Sequence, residues 1–167
     1  MHLSVQTPLE ADVARVAQLL ADPAFVQAKV LAAGASAENV DVVGHASESF
    51  TVTTRRSVPV DDIPLQFRGF IGSSLEVRQV EAWERPVEGR AGRHGTVAVE
   101  VAGVPVRLTG TVRLDPTDTG SVLRYDGELR AGIPLFGAAV EEATATAVRS
   151  ALDAEGRTAR EWLSREA

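Results

Sequence analysis

Polar and apolar residues alternate along seven segments of the chain, which is the pattern of strands with one buried face. Val97, Val99 and Val101, for example, occupy every second position of one segment. Short, turn-rich links separate most of these segments, and such links favour antiparallel pairing. The sequence therefore predicts strands at residues 2–6, 40–45, 49–58, 75–85, 96–102, 106–114 and 122–131.

Helical periodicity appears near the two ends of the chain. Thr7-Pro8-Leu9-Glu10 offers a capping residue and a proline at the first helical position, so it predicts a helix start. Asp22-Pro23 repeats this signal for a second short helix that ends at Gly34, and residues 132–163 predict one long closing helix. Two prolines predict an irregular connection over residues 60–69. The predicted order is β-αα-β6-α, an α+β fold.

The closing helix has bulky residues at its ends and mainly small ones, Ala143, Ala147 and Ala151, at central positions that could face a core. A helix of about 28 residues, roughly 42 Å long, could contact a curved sheet at both ends and stand clear in the middle. The small residues would then roof a hollow, and Gly110 and Gly127 would bend the sheet or add room. Alternatively, the alanines allow close packing and are explained by their helix propensity. The pattern favours the hollow.

Two charged residues fall on inward positions of predicted strands. Arg56 belongs to the inward set of residues 50–58, and Glu81 belongs with Gln79 to that of residues 75–83. A buried charge without a partner is costly, so these residues could line a pocket and hold the polar end of a ligand. Alternatively, a bulge turns their neighbours inward, or the charges reach solvent from the strand ends. The sequence favours the second explanation for each charge.

The composition is that of an ordinary globular protein and excludes several classes. The chain has 167 residues, 44% hydrophobic and 24% charged, with no cysteine for disulfides or thiolate chemistry. We expect one domain over residues 1–167. The net charge of -6 does not favour binding to the negatively charged phosphate backbone, so we expect no nucleic-acid partner. Because the sequence has neither a membrane-spanning apolar run nor the pattern of a secretion signal, we expect a cytoplasmic protein.

Sequence motifs for metal or cofactor binding are missing. His2, His45 and His94 lack partners at zinc-ligand spacing, so no metal site is predicted. The sequence contains neither a nucleophile elbow nor a phosphate-binding glycine loop, and we predict no cofactor. The glycine- and arginine-rich residues 89–95 lie between two predicted strands, so they predict a hairpin loop in preference to an anion site.

The predicted layout resembles the helix-grip fold of the START-like superfamily, which includes lipid-transfer domains, relatives of plant pollen allergens and polyketide cyclases. The resemblance covers nearly the whole chain, including Gly132-Ile133-Pro134-Leu135-Phe136-Gly137 before the long helix. Segments such as Arg56-Ser57-Val58-Pro59 and Gln79-Val80-Glu81-Ala82-Trp83 are similar to an uncharacterised actinobacterial branch. Members of the superfamily commonly hold hydrophobic ligands between sheet and long helix. The resemblance implies such a pocket and transfers no catalytic residue.

These observations predict binding of a small hydrophobic or amphipathic molecule, lipid-like or polyketide-like, between the sheet and the closing helix. Two alternatives stay open: a cyclase- or dehydratase-like enzyme that would need Glu81 or Tyr125 in the hollow, and an interaction module with a filled core. No oligomeric state is predicted. Aromatic residues are included as candidates, although they more often belong to a core. The candidate lining residues are Arg56, Phe67, Phe70, Gln79, Glu81, Trp83, Tyr125, Phe136, Val140, Ala143, Ala147 and Ala151.

Overall fold

A computed structural model of the chain describes residues 1–62, 65–69 and 71–165. Its strands are β1 His2–Leu9, β2 Ser36–Gly44, β3 Phe50–Pro59, β4 Ser74–Trp83, β5 Arg93–Val101, β6 Val106–Thr117 and β7 Gly120–Ala131. They form one antiparallel sheet in the order β1-β7-β6-β5-β4-β3-β2. The α-helices are α1 Val13–Leu20, α2 Pro23–Ala32, α3 Leu65–Arg68 and α4 Gly137–Arg165.

The predicted order β-αα-β6-α is confirmed, with two additions. The connection predicted to be irregular contains a short 3₁₀ helix, Val60–Asp62, and the single turn of α3. The sheet is antiparallel throughout because each strand follows its neighbour through a short link, except β1, which pairs with β7 at the far edge. This arrangement places the two ends of the chain, β1 and α4, on the same side of the molecule.

The predicted helix start at Thr7-Pro8 is wrong. β1 continues to Leu9, and α1 begins after Asp12, whose carboxylate accepts a hydrogen bond from the Arg15 backbone N–H at 2.7 Å. Pro8 is tolerated in this strand because β1 is an edge strand and has only one neighbour to satisfy. The start of α2 follows the prediction, since Asp22 caps the helix in front of its first-turn proline.

The closing helix begins at Gly137, five residues later than predicted. Residues 132–136 precede it as a turn, in which Leu135 has a φ of 65° and is 99% exposed. A left-handed residue cannot continue a helix, so the helix starts only beyond it. Leu135, one of the bulky residues at the start of the predicted helix, therefore does not contact the sheet.

The long helix α4 rests on the β1 and β7 side of the sheet. Ala145 packs with Leu3, Leu108 and Leu129 near the start of the helix. Further along, Gly156 lies so close to β1 that a Cβ there would come within 2.8 Å of the Thr7 side chain. Its last turns join the larger core formed with α1, α2 and the sheet. This off-centre position leaves part of the inner face of β3, β4 and β5 uncovered.

Gly110 and Gly127 are paired directly across β6 and β7. A Cβ at Gly110 would lie 2.1 Å from the carbonyl oxygen of Asp126, and one at Gly127 would lie 2.8 Å from that of Thr109. Both distances are far inside contact range, so the local backbone geometry requires glycine. The close approach of these two strands shapes the inner face of the sheet at the hollow described next.

Candidate functional site

A hollow of about 840 Å³ lies between the sheet and α4 and opens to solvent. Most of its lining is aliphatic. The inner faces of the strands contribute Leu3, Val58, Leu75, Val77, Val97, Val99, Val101, Val106 and Leu108. The helix contributes Val140, Ala143, Ala147, Val148, Ala151 and Leu152. This shape follows from the off-centre helix, which turns its row of alanines toward the uncovered strands.

The two ends of the hollow differ in chemistry. At one end it is lined by residues 103–105 of the β5–β6 turn and by four residues of the turn before α4, which are Gly132, Ile133, Pro134 and Phe136. At the other end its lining includes Arg56, Gln79, Tyr125 and Glu155. A molecule in the hollow would therefore meet largely aliphatic surface, with Thr144, Thr146 and Ser150 of the helix and Asp126 of β7 as further polar residues, and the charged cluster at its inner end.

A buried polar cluster forms this inner end and consists of Lys29, Arg56, Gln79, Glu81, Tyr125 and Glu155. Glu81 is 2% exposed and accepts three hydrogen bonds. Gln79 Nε2 donates at 2.7 Å and the Tyr125 hydroxyl at 3.1 Å, both to Oε1, while Trp83 Nε1 donates to Oε2 at 3.2 Å. All the hydrogen-bond donors of the Glu81 carboxylate thus come from within the core, and Glu81 follows the lining residue Gln79 on the same face of β4.

Glu155 joins α4 to α2 and to β3 within the same cluster. Lys29 Nζ lies 3.2 Å from Glu155 Oε2 and 3.8 Å from Glu81 Oε1. The Arg56 guanidinium lies 3.4 Å from Glu155 Oε1 and donates a second hydrogen bond to Gln79 Oε1. Lys29 is 5% exposed and Glu155 is 7% exposed. Two positive and two negative side chains therefore balance one another in a region that is largely shielded from water.

The environment fixes the protonation of two members of the cluster. Burial by itself lowers the pKa of Lys29, but the carboxylates of Glu155 and Glu81 outweigh burial and raise this pKa above its ordinary value of 10.5. Burial raises the pKa of Tyr125 well above its ordinary value of 10.0, and the charges of Glu81 and Glu155 raise it further. At neutral pH Lys29 is therefore a cation, and Tyr125 is a hydrogen-bond donor.

We expect Tyr125, which is the chain's one tyrosine, to stay protonated until the protein unfolds in alkali. Both raised pKa values lie above those of the unfolded chain, so the stability they contribute is complete below about pH 10 and is lost as pH rises beyond it. An alkaline titration should follow phenolate absorbance and circular dichroism together. The two transitions should coincide; a phenolate signal near pH 10 in a natively folded chain would contradict the assignment.

The structure places the predicted site residues in three groups. Glu81 and Trp83 are not among the described residues that line the hollow, since both are buried in the core behind it. Phe70 and the side chain of Phe67 lie outside the described residues. The predicted residues that do line the hollow are Arg56, Gln79, Tyr125, Phe136, Val140, Ala143, Ala147 and Ala151.

The explanation that the sequence favoured for the inward charges is wrong. β4 pairs with β3 and β5 in continuous register from Val77 to Trp83, so no bulge turns neighbouring positions inward there. Glu81 is buried in mid-sheet, and Arg56 lines the hollow with a side chain that is only 11% exposed. The charges remain inside because they pair with Lys29 and Glu155.

Sequence reasoning missed Lys29 and Glu155, although both leave a signal. Lys29 is the chain's one lysine and follows Phe25 and Val26 on the apolar face of α2. Glu155 continues the spacing of four set by the central alanines of α4. Each residue is an isolated charge on an otherwise inward-facing row, which predicts a buried ion pair when two such rows meet.

Arg93, one of the two arginines of the glycine-rich segment 89–95, has a structural role. Arg93 begins β5 and is buried, and its guanidinium donates hydrogen bonds to the carbonyl oxygens of Ala46, Glu48 and Glu84. It also lies 5.6 Å from the centre of a phenylalanine ring. These contacts tie the β4–β5 hairpin to the turn between β2 and β3, and they direct the guanidinium toward backbone carbonyls in place of an anion.

Within the described ranges, no group of three or more histidine, aspartate or glutamate side chains is arranged to hold a metal ion. The helices in this part of the chain are also too short or too polar to cross a bilayer.

Several solved structures share this fold at low sequence identity. The Zhui aromatase/cyclase of Streptomyces sp. R1128 has a TM-score of 0.57 and 16% identity, over 99% of this chain and 94% of that one. The protein TTHA0849 of Thermus thermophilus has a TM-score of 0.58 and 17% identity, over 95% and 97%. The protein Ara h 8.0201 has a TM-score of 0.52 and 11% identity, over 95% and 97%.

These similarities confirm the predicted START-like, helix-grip fold, in which a curved antiparallel sheet holds a long C-terminal helix. At such identities they establish the fold alone. No curated protein is detectably similar to the chain in sequence. A family model described as a protein of unknown function (DUF2505) matches residues 4–163, and the chain therefore belongs to the DUF2505 family.

Proposed function

We propose that this protein binds a small amphipathic molecule, lipid-like or polyketide-like, in the hollow between the sheet and α4. The observation that carries the proposal is the hollow itself, about 840 Å³ in volume, with largely aliphatic walls and a charged cluster at its inner end. Small-molecule sites typically enclose roughly 300–1,000 Å³ and combine apolar walls with a few fixed polar groups. The apolar body of the ligand would lie along the valines, and its polar end would approach Arg56, Gln79, Tyr125 and Glu155.

Apolar burial would supply most of the binding free energy. Covering about 300 Å² of ligand surface at roughly 25 cal/mol per Å² contributes about 7 kcal/mol before the costs of association. The walls are built from strand residues, whose positions are fixed by the register of the sheet, so little ordering is required when the ligand enters.

Binding is better supported than catalysis. A cyclase-like reaction would need an acid–base group in contact with the substrate. Glu81 is absent from the described residues that line the hollow and is already bound by Gln79, Trp83 and Tyr125. The Tyr125 hydroxyl donates a hydrogen bond to Glu81, and its pKa is raised by burial. Neither group is disposed to exchange protons with a bound molecule. The activity in the name of the Streptomyces aromatase/cyclase belongs to that protein.

A neutral, environment-sensitive naphthylamine dye tests the proposal. Dye fluorescence should rise to saturation at one molecule per chain, and dodecanol should reverse the rise by competing for the hollow. Native mass spectrometry of freshly purified protein should show an added small-molecule mass that disappears on denaturation. A signal that fails to saturate, together with a bare protein mass, would count against a binding function.

A further inference from the structure

We infer that the polar end of the bound molecule is an uncharged oxygen group, such as a ketone, an ester or a hydroxyl, and that the site discriminates against carboxylates and amines. This inference rests on the proposed function and adds the chemical class of the ligand. It follows from two observations at the inner end of the hollow, the charge balance of the polar cluster and the inventory of its hydrogen-bond donors.

The first observation is that the cluster is already electrically neutral. Lys29 and Arg56 supply two positive charges, and Glu81 and Glu155 supply two negative ones, all linked by contacts of 3.8 Å or less. A ligand carboxylate would add an unbalanced negative charge beside Glu155. A ligand ammonium would add a positive charge beside Arg56. Either charge would lose its hydration without gaining a free counter-ion, which is costly at a largely buried site.

The second observation is a surplus of hydrogen-bond donors on two side chains that line the hollow, Arg56 and Gln79. A guanidinium has five N–H groups, and Arg56 donates to Glu155 and to Gln79. Among the described residues, no further acceptor contacts the Arg56 guanidinium. Arg56 lines the hollow, and three of its five N–H groups have no acceptor among the described residues. Gln79 likewise uses one N–H for Glu81 and retains another.

A surplus of donors favours a ligand group that accepts hydrogen bonds. A ketone or ester oxygen would accept from Arg56 and leave the charge balance unchanged. A hydroxyl would do the same, and its own proton could be donated to the Tyr125 oxygen, whose hydrogen is already committed to Glu81. An oxygen without a formal charge thus satisfies the donors without adding to the four charges of the cluster.

Four probes that share one dodecyl chain test this inference in the dye-displacement assay at pH 7: the methyl ketone, the alcohol, the carboxylic acid and the amine. We expect the ketone and the alcohol to displace the dye at concentrations roughly tenfold lower than the carboxylate or the ammonium, the effect of one moderate electrostatic penalty. Since the apolar chain is constant, the order of the four probes reports on the polar end alone.

Charge-changing variants of the cluster should then reorder the probes. Glu155→Gln makes the cluster positive, so the carboxylate should gain roughly tenfold relative to the alcohol. Arg56→Gln makes it negative and should favour the amine over the carboxylate, which keeps the test decisive if the first variant folds poorly. Glu161→Gln removes an exposed carboxylate from the same helix and should leave the order unchanged.

The results of these experiments distinguish a failure of this inference from a failure of the proposed binding function. A carboxylate that competes as well as the alcohol in the natural protein, or an order that neither cluster variant changes, would overturn the inference and leave the binding function standing. If none of the four probes displaces the dye, and the dye itself shows no saturable binding, the proposed function fails and the inference fails with it.

Discussion

Replacing Lys29 with methionine should lower the free energy of unfolding by about 3–5 kcal/mol, because it removes one partner of a buried ion pair. Glu155 and Glu81 would then share a single cation, Arg56, in a region shielded from water. Methionine fills a similar volume, so the loss would report the charge and not a cavity. Urea unfolding followed by circular dichroism measures the change directly.

Two further variants show whether the loss comes from charge imbalance. Adding Glu155→Gln to Lys29→Met restores neutrality and should recover a substantial part of the lost stability. Arg149→Met, on the exposed outer face of α4, should change stability by no more than about 0.5 kcal/mol. If Lys29→Met unfolds at the same urea concentration as the natural protein, the cluster does not hold α2, α4 and the sheet together as described.

Replacing Ala147 with tryptophan should weaken dye binding at least about tenfold, because the indole would occupy the space that the ligand needs. Ala147 lines the hollow and is not packed against the sheet, so the larger side chain can enter the hollow without displacing core residues. The fold should therefore survive the substitution. The same fluorescence titration measures the affinity, and circular dichroism verifies that the chain remains folded.

Ala138→Trp is the matched control for this prediction. Ala138 lies on the same helix, is exposed and is absent from the described residues that line the hollow. The control variant should bind the dye as the natural protein does. Equal affinities for the two tryptophan variants would place the binding site elsewhere, and the hollow would then be an unused space.

The sheet could be predicted in advance because one-sided burial leaves a period of two in the sequence. Val97, Val99 and Val101 show this most clearly, and the strand that holds them ends where the pattern ends. The helix cap at Asp22 could also be predicted from the sequence, since capping depends only on neighbouring residues. Features whose physical cause lies within a few residues were therefore predicted with little error.

Features that depend on distant contacts were predicted less well. Thr7-Pro8 carries a helix-start signal, but pairing with β7 holds it in an edge strand. The turn around Leu135 replaces the first turn of the predicted helix. The favoured bulge at Glu81 fails because Lys29 and Tyr125, far away in the sequence, supply the partners that make burial of the carboxylate possible.

The position of α4 is the step that local patterns do not determine. Its alanine row predicted a roof over a hollow, and this row does line the hollow. The helix leans toward β1 through Ala145 and Gly156, and this lateral placement opens the space beside it. Neither helix propensity nor sheet periodicity determines the lateral position of α4, because this position is set by packing between α4 and β1.

A crystal structure of the protein with dodecanol would show directly whether the hollow binds an amphipathic molecule. We expect the alcohol inside the hollow, with its hydroxyl oxygen within hydrogen-bonding distance of an Arg56 N–H and its chain against Val99 and Val101. Side chains packed solidly between α4 and these strands, or an alcohol found only on the outer face of the sheet, would contradict this expectation.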